Sequence, residues 1–246
     1  MPKLSVVIPA YNEEKRLPRT IDRLLSYLPT LNISWEILVV DDGSRDGTVQ
    51  YVQGVAATHK EVRIISDGKN RGRGGAVKIG VKEAKGEFIL ETDSDGSVAD
   101  EAIGRCLDAF EKDPTLDAIF GCSELKESKI MEWQPPMRVF LGYGFIYLAR
   151  IVFFMWNITD FTLGFKMFRA NAARDIFANQ FDPNYFAEAE IVFVADKRGY
   201  KYIEIPVIWT NDLDSRIKPM RDVFRTLQGM GKVLLRWIAG AYRAKK

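Results

Sequence analysis

Phe88-Ile89-Leu90-Glu91-Thr92-Asp93-Ser94-Asp95 is an apolar run that ends in two carboxylates one residue apart. Read as a buried strand, it sets two hard oxygen ligands at the open edge of a sheet, because residues i and i+2 of a strand point the same way. Two like charges held that close repel, and a divalent cation such as Mg²⁺ or Mn²⁺ relieves the repulsion. Such an ion prefers carboxylate and phosphate oxygens together, so the stretch suits a metal–diphosphate. Two plainer readings compete. Aspartates favour turns after strands because they hydrogen-bond their own backbone. A helix–loop–helix calcium loop would start at Glu91, but it needs a bidentate glutamate at its twelfth position, where Ala102 stands. The preceding 87–91 also read as strand, so the calcium loop is set aside.

Outward from this stretch, strand-like runs alternate with helical periodicity. Residues 4–8, 36–40, 62–65, 88–90 and 117–120 read as short buried strands; 13–28, 48–58, 76–84 and 99–112 read as helices. Leu17, Ile21, Leu24, Leu25 and Leu28 give the first helix its apolar stripe. Alternating βα units predict an α/β fold with a mainly parallel sheet covered by helices on both faces. Ligands of such sheets bind beyond the carboxyl ends of the strands. The polar clusters 9–14, 41–47 and 93–97 all fall at those ends.

The cluster Asn70-Arg71-Gly72-Arg73-Gly74-Gly75 precedes a helix, where glycine allows close backbone approach and the helix N-terminus attracts phosphate. It is no dinucleotide fingerprint, since Val77 fills the last glycine position and the cluster does not follow the first strand. It reads either as a flexible turn or, with two arginines among the glycines, as an anion site. The run 139–156 is apolar and aromatic but carries Arg150 and follows Arg138, which makes it a flawed crossing segment and predicts an interfacial or core helix. Glu188 and Glu190 lie on a helix-like run, so at most one points into a site.

With 246 residues and 47% hydrophobic content the chain can bury one substantial core. Cys106 and Cys122 offer neither a disulfide framework nor a metal spacing, which suits a reducing compartment, and no signal peptide is expected. Net charge is only +2, yet nine Lys/Arg stand against Asp222 alone between Arg216 and Lys246. Arg225, Lys232, Arg236 and Arg243 fall on one helical stripe, with Leu227, Met230, Leu234, Trp237 and Ile238 opposite. That pattern predicts a helix lying in a membrane surface; a helix packed on the domain with a solvated basic face is the alternative. The expected division is a catalytic domain over 1–215 and a basic amphipathic helix over 216–246.

Val7-Ile8-Pro9-Ala10-Tyr11-Asn12-Glu13, Val39-Val40-Asp41-Asp42-Gly43-Ser44 and Asp93-Ser94-Asp95, in that order, resemble the family-2 glycosyltransferases of the GT-A (Rossmann-like) fold. The glycine cluster, Lys126-Glu127-Ser128, Tyr143-Gly144-Phe145, Gly164-Phe165-Lys166-Met167-Phe168 and Ile205-Pro206-Val207-Ile208-Trp209-Thr210 narrow the resemblance to the dolichyl-phosphate β-glucosyltransferases, with the dolichyl-phosphate mannose synthases nearby. The resemblance implies that Pro9, Ala10, Tyr11, Glu13, Val40, Asp42, Arg73 and Ser94 hold the donor nucleotide, UDP-glucose or GDP-mannose. It implies Mg²⁺ or Mn²⁺ on Asp93 and Asp95, and the acceptor, dolichyl or polyprenyl phosphate, on Arg138 with Arg216 or Lys218 assisting. Two departures stand out. No arginine follows the fifth strand in Gly121-Cys122-Ser123-Glu124, and Ser97 replaces a glutamine of the mannose synthases, which argues against GDP-mannose.

The chemistry implied is inverting transfer of a hexose, glucose favoured, to a phosphate that is already mostly a dianion at neutral pH. Such a nucleophile needs positioning by arginine more than a general base. Glu188 or Glu190 would serve as base if the acceptor were a saccharide or protein hydroxyl. The expected setting is the cytoplasmic face of a membrane, held peripherally, with no nucleic-acid partner.

Overall fold

The computed structural model describes residues 1–132, 136–184, 186–211 and 219–243, without the side chains of 219–222. Arg216 and Lys218 lie outside the described residues, as does the division expected at 215/216. The first half builds β1 (Leu4–Ala10), α1 (Leu17–Tyr27), β2 (Trp35–Asp41), α2 (Thr48–Thr58), β3 (Val62–Ile65), α3 (Arg73–Glu83), β4 (Phe88–Thr92), α4 (Glu101–Lys112) and β5 (Ala118–Cys122). The second half adds β6 (Lys129–Glu132), α5 (Pro136–Phe153), β7 (Phe165–Arg169), α6 (Ala170–Asn179), α7 (Ala187–Lys197), β8 (Tyr202–Pro206), β9 (Ile208–Thr210) and α8 (Pro219–Ile238).

Seven strands form one sheet in the order β3-β2-β1-β4-β7-β5-β8. All neighbours run parallel except β7, which is antiparallel to both β4 and β5. The central strands read as continuous apolar runs because helices cover both faces. Alternation sorts their side chains: Val7, Leu38, Val40 and Ile89 join the core under α3, α6 and α7, while Val6, Ile8, Ile37, Val39 and Leu90 join the core under α1, α2 and α4. In α1, Leu17, Ile21 and Leu24 are buried, with Leu28 just beyond the helix.

Three expectations change. The apolar run ends with β4 at Thr92, so Asp93 and Asp95 stand in the turn beyond the strand, and it is the turn rather than strand alternation that brings them together. The helix α5 starts before Val139 and stops at Phe153, because Phe154 takes a left-handed φ of 55°. Arg150, the charge inside the apolar run, donates to the carbonyls of Ile158 (2.8 Å) and Thr159 (3.3 Å) and so fastens the segment that follows. Finally, α8 ends at Ile238 and Gly240 (φ 82°) turns the chain, which carries Arg243 off the basic stripe. The apolar side of α8 is also split. Met230, Val233 and Trp237 pack on the body, while Phe224, Leu227, Leu235 and Ile238 stay exposed.

Candidate active site

Parallel pairing aligns the carboxyl ends of β1, β2 and β4: Pro9 pairs with Val40, Ala10 with Asp41, and Val7 with Glu91. Past those ends the chain makes three polar turns on one side of the sheet. Asn12, at a left-handed φ of 57°, accepts the Arg45 amide on its side-chain oxygen at 2.7 Å, which ties the first turn to the second. Pro9, Ala10 and Val40 are buried in the floor, and Tyr11 stands at the mouth, 42% exposed. The Glu13 carboxylate is buried and paired with Arg16 at 2.5 Å.

Asp42 holds the glycine cluster. Its carboxylate accepts the amides of Arg71 at 2.5 Å and Gly72 at 2.9 Å, and its carbonyl accepts Asn70 Nδ2 at 2.9 Å. Burial pushes its pKa up against those bonds. The glycines leave no slack: Gly72 sits at a φ of 82°, and a Cβ there or on Gly74 would overlap Asn184 or Ala187. Asp42 therefore acts on the loop that opens α3, and α3 begins with Arg73.

The carboxylate pair occupies the turn after β4. Asp95 accepts the amide (2.9 Å) and hydroxyl (2.7 Å) of Ser97, while the buried Ser94 gives its carbonyl to the Thr20 hydroxyl at 2.8 Å. Burial first, then the Asp93 charge, raises the Asp95 pKa. That repulsion is what a divalent cation would relieve, and the donor set fits one: two hard carboxylates, with the Asp93 side chain 39% exposed. Among the described residues no group of three His, Cys, Asp or Glu could hold an ion by itself, so a ligand phosphate would have to complete the shell. Arg23, not singled out from sequence, pins this turn from below. Its guanidinium donates to the carbonyls of Gly96 (2.9 Å) and Val98 (3.0 Å) and pairs with Asp100 at 2.8 Å.

A buried charge network underlies the pair. Arg73 meets Asp93 at 2.8 Å, bonds Glu188, and lies 3.9 Å from Glu91. Lys166, 1% exposed on β7, bonds Glu188 and the Leu163 carbonyl and lies 4.0 Å from Glu91. Glu91 is wholly buried with neither oxygen hydrogen-bonded, so burial lifts its pKa while Lys166 and Arg73 oppose the shift. Burial lowers Lys166 to about 8 against the pull of Glu91. Burial works against the charge on Arg73, but Asp93 and Glu91 outweigh it and hold its pKa high. Glu190, two residues from Glu188, turns instead into the core and accepts the amides of Phe181 and Asp182. Arg138 stands on the first turn of α5, an element apart from this network. Lys166 was open to discovery from sequence, since a lysine between Phe165 and Met167 in a buried strand demands a counter-ion.

The chain is similar to known glycosyltransferases. A dolichyl-phosphate beta-glucosyltransferase of Trichomonas vaginalis is 33% identical over 220 residues, covering 86% of this chain and 65% of that protein. The dolichyl-phosphate beta-glucosyltransferase of Homo sapiens is 33% identical over 259 residues, 99% of this chain and 78% of its own length. The chain thus spans about two thirds of the first relative and more of the second. In fold it is similar to a mannosyltransferase from Pyrobaculum calidifontis solved in complex with GDP-Man and Mn²⁺, with a TM-score of 0.64 and 20% identity over 95% of this chain and 64% of that one. The family model described as Glycosyl transferase family 2 matches residues 5–177, which takes in the carboxyl ends of β1, β2 and β4 and both aspartates of the pair: the chain belongs to glycosyl transferase family 2.

Proposed function

We propose that this enzyme moves a hexose, glucose favoured, from a nucleotide-diphosphate sugar to dolichyl or polyprenyl phosphate, with inversion at the sugar carbon. The similarity to dolichyl-phosphate beta-glucosyltransferases over nearly the whole chain supports the substrate class. One structural observation favours a phosphate acceptor over a hydroxyl. Glu188, the carboxylate placed to act as a base, is held between Arg73 and Lys166. Each of its oxygens already accepts from one of those cations, so neither is open to an acceptor hydroxyl. A phosphate dianion needs no proton removed, only alignment for in-line attack.

In this reading Asp93 and Asp95 would hold Mg²⁺ or Mn²⁺, which would supply charge neutralisation to the donor diphosphate. Arg73, tied to Asp93 and Glu188, adds a fixed positive charge beside that diphosphate. Pro9, Ala10, Tyr11, Glu13, Val40 and Ser94 bound the nucleotide pocket, and Asp42 shapes it through the glycine loop. Arg138 grips the acceptor phosphate through its planar fork.

The acceptor is a lipid, and the surface suits one. Phe140, Ile151, Phe154 and Trp156 along α5 and its exit are 56–73% exposed, and Phe224, Leu235 and Ile238 of α8 are 68–71% exposed. Apolar exposure on this scale, beside Arg225, Lys232 and Arg236, is what a helix pair seated in an anionic headgroup layer presents. Of the described helices α5 is long and apolar enough to cross a membrane, yet Ile146, Ala149 and Phe153 pack on the body, which favours lying along the surface. We place the enzyme peripherally on the cytoplasmic face.

The test is a screen of UDP-glucose, GDP-mannose and other UDP- and GDP-sugars against polyprenyl phosphate and free glycans, with Mn²⁺ or Mg²⁺ and product identification by mass. Glucosyl-phosphoryl-polyprenol is expected from UDP-glucose. Glycosylated glycan with no lipid product would overturn the reading.

A further inference from the structure

The chain beyond α8 returns to the catalytic body at one buried point. Tyr242 is 1% exposed, packs edge-on to Phe193, and sets its hydroxyl 2.6 Å from Glu190 Oε1. Glu190 also accepts the amides of Phe181 (2.8 Å) and Asp182 (2.6 Å). Three donors thus converge on a carboxylate that has no part in the chemistry described above. A buried carboxylate is costly, and such groups fix geometry more than they stabilise.

What they fix here is the segment 181–184. Its far side presses on the glycine loop: the Pro183 carbonyl accepts the Gly75 amide at 3.2 Å, and Asn184 fills the space above Gly72. Gln180 braces the same segment, donating from Nε2 to the Asp182 carbonyl at 2.8 Å. The helix α8 touches it too. A Cβ on Gly229 would stand 2.8 Å from Asp182 Oδ2 and 2.7 Å from Phe186 Cβ, and Arg236 lies over the Phe181 ring at 4.3 Å. Close-packed contacts without spare volume transmit a displacement rather than absorb it. The loop at the far end of this chain of contacts opens α3 and carries Arg73 to Asp93.

We infer that Tyr242, acting through Glu190 and the segment 181–184, is a positioning residue for the donor site: the docked C-terminal end sets where the glycine loop and Arg73 stand. The inference rests on the donor reading proposed above. It also links the surface proposed to meet the membrane to the pocket proposed to hold the sugar nucleotide.

The full-length chain, its Tyr242→Phe variant and its Gly229→Ala variant are compared by calorimetry with UDP-glucose, and in parallel with GDP-mannose, in MnCl₂. Tyr242→Phe removes one hydrogen bond; Gly229→Ala keeps it but pushes on Asp182 and Phe186. Both are expected to weaken donor binding by about fivefold or more, the lower range of measured coupling between sites. Donor KM should rise to match, with the KM for polyprenyl phosphate unchanged. A lowered melting temperature with unaltered donor affinity in both variants would overturn the inference and leave the functional reading intact. If the wild type binds neither donor, the functional reading falls and the inference falls with it. Should Tyr242→Phe lose cooperative melting, Gly229→Ala decides the matter.

Discussion

Replacing Asp93 or Asp95 by asparagine keeps the shape of the turn and removes one charge from a site built around charge. Transfer is expected to drop by about 10²-fold or more, as when a group that stabilises transition-state charge is lost. Melting should hold or rise for Asp95→Asn, which ends the like-charge repulsion with Asp93, and fall for Asp93→Asn, which takes from Arg73 the carboxylate it meets at 2.8 Å. Calorimetry with Mn²⁺ and donor, beside a melting curve, checks both halves; near-normal rates in either variant would discard the metal role. Lys166 gives a pH signature. Its pKa falls to about 8 in the fold from an ordinary 10.5, so between those values the unfolded chain holds the extra proton. This group therefore adds stability as pH rises through that window. The same deprotonation removes the cation between Glu91 and Glu188, so kcat/KM is expected to decline above about pH 8. Lys166→Arg, whose charge persists, should carry that limb upward; an unchanged pH–rate profile would assign the limb elsewhere.

Among the elements, the turn before β7 is packed directly against the carboxylate site. The Asp93 amide donates to the Gly164 carbonyl at 3.2 Å, and a Cβ on Gly164 would overlap Asp93 Oδ2 and Arg73 Nη2. Gly164→Ala should cost about 1–3 kcal/mol through overpacking and weaken Mn²⁺-dependent donor binding. Chemical denaturation and titration of the same protein measure the two effects together. The strands of the first half were legible because each is a short apolar run bounded by turn residues, and β3 and α2 fall where periodicity puts them. The reversed strand β7 was not, since Phe165-Lys166-Met167-Phe168 says nothing of direction, and its pairing with both β4 and β5 is set by distant contacts. The carboxylate pair was legible as a motif. Of its supports, Lys166 is marked by its place inside an apolar run, but its pairing with Glu91 and the role of Arg23 were hidden, because a charge partner across the sheet leaves no mark in local spacing.

At the scale of the whole molecule, α5 and α8 pack against each other, Phe153 of α5 beside Trp237 of α8 with both rings on Phe193, and each helix leaves further apolar side chains exposed. Replacing Phe154, Leu235 and Ile238 together by serine is expected to weaken binding to anionic vesicles by about tenfold or more, each buried apolar side chain contributing up to about 1.5–3 kcal/mol. Salt should weaken the wild type as well, through Arg225 and Lys232. Co-sedimentation at two ionic strengths reads both, and unaltered binding would leave these helices purely structural. The strand order carries a last consequence, for synthesis. Glu91 and Lys166 are register partners on β4 and β7, yet they are made 75 positions apart in the chain. Until the later strand has left the ribosome tunnel, the half-built sheet shows an unzipped margin with a carboxylate that still lacks its lysine partner. A nascent chain halted before Phe165 should accordingly stay bound to chaperones, and release should begin only once Arg169 has emerged.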